Sequence, residues 1–170
     1  MNITKILKDH KLWLNNPSMG TRADFSGANL RNIDFHNADL RYADFNGADF
    51  HYANFSGANL NGAKLSGANL RYTDLSGADL RYTIFSGADL RYTDFRNVNF
   101  SGADFSGADL SGADLNYSCL PLHCDGQFKA DTRVCKQLMA HTIRIMKLSN
   151  EPIPDGCKEY IKGWHREEEF

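Results

Sequence analysis

No stretch of about eighteen consecutive apolar residues occurs in this chain, which excludes a conventional transmembrane helix. A cleavable leader is not expected either, because Lys5, Lys8, Asp9, His10 and Lys11 break up the short apolar patches near the start. An excess of one charge is also missing. Nineteen Lys and Arg face 21 Asp and Glu, for a net charge of −2 and a pI near 6.3, which argues against a strongly basic nucleic-acid binder. Cysteine is scarce: Cys119, Cys124, Cys135 and Cys157 all fall in the last third and follow no regular spacing, the pattern of a reduced compartment. A soluble, cytoplasmic protein is expected, without a membrane partner.

Signatures of chemistry are lacking too. Cys119, His123, Cys124 and Cys135 are the best zinc candidates, yet four residues separate Cys119 from Cys124 and no second tight pair follows, so these read as buried thiols. There is no phosphate loop, no dinucleotide fingerprint and no strand-turn-helix nucleophile elbow. Catalytic residues, cofactors and metals are all expected to be none.

What the chain does have is a period. From Arg22 to Leu120 a large apolar residue returns at every fifth position without a slip, from Phe25 and Leu30 through Leu70 and Leu75 to Leu115 and Leu120, twenty centres in all. Two residues before each centre stands Ala in fourteen of the twenty, with Ile33, Thr73, Thr83, Thr93, Val98 and Ser118 as exceptions. Asp or Asn usually precedes the centre, and Gly, Asn or Tyr usually follows two residues after it. Such a short, fixed period means a solenoid.

Five fits neither the 3.6 of a helix nor the 2 of a strand, so the chain must turn within each unit. If each unit makes one side and one corner, four units close a square coil and twenty residues return the chain above its start. The centre and the residue two before it then point inward. Asp or Asn can bond turn amides, and Gly relieves the backbone where a turn needs positive φ. The recurring Ser-Gly pairs are corners, and the shallow columns of such a rod offer no cleft that excludes water.

These units resemble the pentapeptide-repeat family, whose motif Ala-Asp/Asn-Leu-x-x appears here as Ala28-Asn29-Leu30-Arg31-Asn32 and Ala78-Asp79-Leu80-Arg81-Tyr82. The resemblance implies an all-β solenoid, a right-handed quadrilateral β-helix of about five coils, and a rod of roughly 24 Å at one strand spacing per coil. It divides the chain into an N-terminal capping helix and linker (1–20), the β-helix (21–120) and a C-terminal helical cap (121–170). Ile3, Ile6, Leu7, His10 and Leu14 recur at helical spacing with Asn2 or Thr4 as cap, and Trp13 supplies bulk for the open coil end. The Leu12-Trp13-Leu14 segment running into Arg22-Ala23-Asp24, and Cys119-Leu120-Pro121-Leu122-His123-Cys124, also resemble members of the family. Two helices are expected in the tail, from about Asp131 to Lys147 and from Asp155 to about His165, as a cap or as a homodimer contact.

Positions twenty apart stack, so the outward residues fall into columns. Asp34, Asp74, Asp94 and Asp114 share one with Asn54, and Asp24 and Asp44 begin another. Arg31, Arg71 and Arg91 stand with His51 beside Asn32, Tyr52, Tyr72 and Tyr92; opposite lie Arg41-Tyr42 and Arg81-Tyr82. Asp49, Asp89 and Asp109 are expected to offset Arg31, Arg71 and Arg91. The acidic columns and the Arg/Tyr columns are the two candidate partner-binding surfaces, the latter because exposed Tyr and Arg are enriched at binding hot spots.

The family resemblance implies a non-catalytic module that binds a protein, such as a DNA-binding enzyme, with no direct contact to nucleic acid. Some members mimic duplex DNA and bind DNA gyrase, protecting or inhibiting it; a phage-encoded member would meet a host nucleic-acid-handling or defence protein. Duplex DNA carries about one negative charge per 1.7 Å, so roughly fourteen would be needed over the rod. Residues 21 to 120 hold twelve Asp against eight Lys or Arg, so mimicry works only along the Asp columns. Quinolone-protecting members carry loops that interrupt their coils, whereas here the register is unbroken. The alternative is a stiff scaffold that docks a partner through its Arg/Tyr face or its helical tail.

Overall fold

The computed structural model describes residues 1–116. The expected C-terminal cap, the four cysteines with His123, and the last centre, Leu120, lie outside the described residues.

Hydrogen-bond accounting explains why five residues suffice for a side and a corner. In the unit Ala43–Gly47, the Ala43 amide closes a turn on the Leu40 carbonyl at 3.1 Å. Asp44 donates to Ala23 of the coil below at 3.0 Å, while Phe45 and Gly47 donate to Lys64 and Ser66 of the coil above at 2.8 and 2.9 Å. The fifth amide, on Asn46, points along its own turn, and the Asp44 side chain accepts it at 3.2 Å. Every amide is thereby satisfied, as a buried ladder requires.

Repeating this unit stacks residue i on residue i+20 through parallel bridges, from Asp24 on Asp44 to Asp94 on Asp114. No side is longer than one bridge position, so the coil is a four-sided β-helix built without extended strands. All nineteen described centres, Phe25 to Leu115, are at most 7% exposed. Phe rings fill both ends of the axis: Phe25 stacks on Phe45 at 5.3 Å and Phe85 on Phe105 at 5.1 Å. Leu65, Leu70, Leu75 and Leu80 make up the middle coil. Thr73, Thr83 and Thr93 take the inward small-residue position because their hydroxyls donate to the carbonyls of Phe50, Leu60 and Leu70 at 2.8–3.0 Å.

A helix forms near the N-terminus where the spacing predicts one. Helix α1 runs Ile3–Asn15, with Asn2 as N-cap accepting the Lys5 amide at 3.0 Å. Ile3, Ile6 and Leu7 pack on the core, and a Cβ at Gly20 would sit 2.2 Å from the Asp9 carbonyl, so glycine lets the returning chain pass close to the helix. His10 is fully buried at this junction. From Ala28 onward the amide of the inward small residue, Val98 excepted, bonds the carbonyl of the centre three before it; at Ala23 the acceptor is His10 Nδ1, at 3.1 Å. Trp13 stacks on His10 at 5.7 Å and meets Tyr42 edge-on at 6.4 Å.

Burial holds the His10 imidazole below its ordinary 6.5; the Asp39 carboxylate and the Arg41 backbone oppose this, and Arg22 and Arg41 as cations reinforce it. The unfolded chain takes up this proton first, so the contribution of His10 is complete above about pH 6.5 and is lost as pH falls through the folded value. The protection factor of the Ala23 amide, referred to the intrinsic exchange rate at each pH, should fall on acidification over that range, and His10→Asn should remove the dependence. An Ala23 amide equally protected at pH 7 and pH 5 would contradict this role.

Candidate functional site

The acidic columns are built as expected, but their carboxylates first serve the turns. Each Asp or Asn preceding a centre accepts the amide two residues on, as Asp24 does from Ser26 at 2.9 Å, Asp34 from His36 at 3.0 Å and Asp74 from Ser76 at 2.9 Å. Those bonds hold the Asp24 and Asp104 carboxyls below the usual range, Asp24 through the Ser26 amide first and Asp104 through the Ser106 hydroxyl first. The column of Asp24 and Asp44 is acidic for only part of its length, because Lys64 and Ile84 follow before Asp104. Lys64 cannot accept, so the Ser66 amide turns to the Asn46 side chain at 2.9 Å.

Arginine closes over several of these acids. Arg41 grips Asp39 through Nε and Nη2, both at 2.8 Å, Arg81 grips Asp79 at 2.8 and 2.6 Å, and Arg91 and Arg96 hold Asp89 and Asp94 in the same way. These bonds hold the Asp39, Asp79 and Asp89 carboxyls low; at Asp94 burial opposes Arg96, and the net direction is still down. Exposed pairs of this kind add about 0–1 kcal/mol each to stability. Their larger effect is to neutralise the surface. Arg96 sits within the column of Asp74, Asp94 and Asp114, and Asn54 interrupts that column above Asp34.

On the Arg/Tyr faces the structure shows what the sequence did not. Tyr42, Tyr52, Tyr72, Tyr82 and Tyr92 all adopt left-handed backbone, with φ between +57° and +63°. A bulky residue there is rare and costs about 1–2 kcal/mol. The only signal was positional, since these Tyr occupy the slot that Gly fills elsewhere. Stacking offsets the cost: Tyr52 lies on Tyr72 at 5.2 Å and Tyr72 on Tyr92 at 4.9 Å, the latter pair within 6° of parallel. Where the coil above has Gly, the ring lies on its backbone, so a Cβ at Gly62, Gly102 or Gly112 would stand 2.5–2.7 Å from Tyr42, Tyr82 or Tyr92.

Basic partners on the Tyr52 face differ from one coil to the next. Arg31 reaches Asp49 at 3.4 Å, and Arg91 pairs with Asp89 and, at 3.9 Å, with Asp109. Arg71, expected to be offset by Asp89, has no ion pair among the described residues; its guanidinium lies 5.7 Å from the centre of the Tyr72 ring. The three Tyr are 56%, 40% and 53% exposed. Among the described residues no cluster of His, Cys, Asp and Glu could hold a metal, and no helix is long and apolar enough to cross a membrane.

Comparison with known proteins agrees with this architecture. The family described as pentapeptide repeats matches residues 21–57, 48–87 and 83–120, in eight copies. A pentapeptide repeat protein from the Arabidopsis thaliana thylakoid lumen is similar at 36% identity over 62% of this chain and 68% of that one, with a TM-score of 0.51. Rfr23 of the cyanobacterium Cyanothece 51142 aligns at 22% identity over 74% of this chain and 96% of its own, with a TM-score of 0.59, a likeness of fold alone. QnrB1, a plasmid-mediated fluoroquinolone resistance protein, aligns at 19% identity over 75% and 76% of the two chains, with a TM-score of 0.32. A search among curated proteins finds no match. The shared fold is the right-handed quadrilateral β-helix.

The ring seats can be tested through their glycines. A methyl at Gly67 would meet nothing within 4 Å, so Gly67→Ala should cost only the left-handed penalty, about 1–2 kcal/mol. Gly62→Ala should cost more, because the Tyr42 ring must also move. A double-mutant cycle by denaturant unfolding should show coupling of Tyr42→Ala with Gly62→Ala and none with Gly67→Ala. Equal effects at the two glycines would rule out the seated ring.

Proposed function

The chain belongs to the pentapeptide-repeat family, and from that premise we propose that it is a non-catalytic rod that binds a protein partner through the Tyr52, Tyr72 and Tyr92 face. The observation that carries this reading is the ladder itself: three half-exposed rings, stacked in parallel on strained backbone, next to a guanidinium with no ion pair among the described residues. Turns of this rod close equally well with Gly, as at Gly27 and Gly87, so the Tyr are a surface choice rather than a folding need. Tyr and Arg are also the residues that dominate protein interfaces. The opposite face has two such rings, Tyr42 and Tyr82, kept apart by Gly62, and both of its Arg, Arg41 and Arg81, are already clamped.

A second reading is a DNA-mimic modulator of a nucleic-acid-handling protein, such as DNA gyrase or a host defence protein. Its support is that Asp24, Asp34, Asp74 and Asp104 have no arginine within ion-pair distance among the described residues. The clamps on Asp39, Asp79, Asp89 and Asp94 count against it, because they remove charge that mimicry needs.

Two substitution sets separate the readings while keeping the turns intact. Tyr52→Gly/Tyr72→Gly/Tyr92→Gly puts the preferred residue into each left-handed slot. Asp34→Asn/Asp74→Asn/Asp94→Asn/Asp114→Asn keeps the amide acceptor that Asn54 already provides in that column. In affinity captures at low and high salt, the partner of the wild type should be lost with the Tyr set and retained with the Asp set, with little dependence on salt. The reverse pattern, loss with the Asp set and weakening by salt, would transfer the assignment to the acidic columns.

A further inference from the structure

Three buried side-chain nitrogens lack a hydrogen-bond partner among the described residues: His10 Nε2, His51 Nδ1 and Arg71 Nε. The last two are one coil apart on the same column. His51 lies 4.3 Å from the Tyr52 ring and 5.5 Å from the Tyr72 ring, and Arg71 lies over Tyr72, so both heads are packed against the ladder without an ion pair among the described residues. Orphaned groups of this kind call for an explanation.

Arg71 is unpaired because of one residue. Arg41, Arg81, Arg91 and Arg96 each have Asp two positions earlier and fold back onto it, whereas Arg71 has Asn69 there. The acids within reach are engaged elsewhere. Asp49 accepts from Asn69 at 2.9 Å, from the His51 amide at 3.1 Å and from Arg31, while Arg91 covers Asp89. The Arg71 side chain makes no hydrogen bond among the described residues and is held by packing alone; with Nε covered, its terminal guanidinium nitrogens are the groups preorganised for an oxyanion.

The tyrosine rings beside Arg71 present the same polarity. Because Tyr52, Tyr72 and Tyr92 stack face to face, their ring edges and hydroxyls point outward, and ring edges carry the positive part of the aromatic quadrupole. Asp49, Asp89 and Asp109 flank the site, so a polyanion such as nucleic acid would be repelled, whereas one carboxylate fits between them.

We propose that Arg71, framed by His51 and the three Tyr, receives an Asp or Glu side chain of the partner polypeptide, and that Asn69 keeps the site open by withholding an internal carboxylate. This rests on the reading of the Tyr ladder as the binding face.

Asn69→Asp provides the test, since it installs the clamp that four other units already carry. It creates four stacked acids at 49, 69, 89 and 109, one more than the run already present at Asp74, Asp94 and Asp114. The Nε–H resonance of Arg71 in the full chain is followed by NMR during titration with a capped pentapeptide containing one Glu, with its Gln counterpart, and with inorganic phosphate at constant ionic strength. The Glu peptide should shift the resonance saturably, and its affinity should fall at least tenfold in Asn69→Asp, with Arg71→Gln abolishing binding as read from the neighbouring Tyr ring resonances. Equal responses to the Glu and Gln peptides, a stronger response to phosphate, or an unchanged affinity in Asn69→Asp would each overturn the proposal. If the captured partner is lost with the Tyr set but bound undiminished by both Asn69→Asp and Arg71→Gln, the ladder stands as the binding face and the carboxylate assignment fails.

Discussion

The structure depends on one unaccommodating amide. Four of the five amides in each unit find carbonyls either in the turn or on the neighbouring coils; the fifth, two residues after the Asp or Asn, finds no main-chain acceptor and must be met by a side chain. This explains why Asp or Asn recurs so persistently, and why the exceptions are informative. At Lys64 the acceptor is borrowed from Asn46 of the coil below, and at Ile84 the unit has no side-chain acceptor of its own to offer Ser86. Acidity on this rod is therefore a by-product of turn closure. Counting Asp overstates the field that a partner would meet.

Because Asp and Asn close the turn equally well, the choice between them is open to other demands. With Asp, an arginine two residues later folds back and is neutralised in its own turn, as at Asp79 and Arg81. With Asn, the arginine looks elsewhere: Arg31 after Asn29 crosses to the next coil, and Arg71 after Asn69 has no ion pair among the described residues. A difference of one atom, invisible to the fold, thus sets which cations remain available. The same holds at the left-handed corner, where Gly, Asn and Tyr all occur but only Tyr builds a surface.

The regular part of this molecule is legible in the sequence because periodicity reports backbone geometry directly. Register, inward positions, turn acceptors and the Asn2 cap on α1 all follow from which residue types recur at which spacing. Three features are not legible. The left-handed Tyr contradict the ordinary preference of bulky residues, and only the stack that compensates them makes the conformation tenable. The pairing of Arg with Asp depends on rotamers and competing acceptors, so assigning Asp89 to Arg71 by proximity misses that Arg91 already holds it. His10 reads from its spacing as one more position on an amphipathic face, whereas it supplies the acceptor that coil one lacks at Ala23.

The faces of the coil are too shallow to enclose a ligand, so affinity there must come from groups already fixed when the partner arrives. Immobilising a rotamer-rich side chain at an interface costs roughly 0.5–1.5 kcal/mol, and Tyr52, Tyr72, Tyr92 and Arg71 are ordered by their mutual packing before any encounter. For four such residues, roughly 2–6 kcal/mol of ordering is thereby met during folding rather than during binding. The left-handed strain at the Tyr belongs to the same exchange. It lowers the stability of a fold whose axis is completely packed, and it yields a rigid row of ring edges at a spacing of about one coil. On a shallow surface, that rigidity is the property that lets a few side chains act as a site.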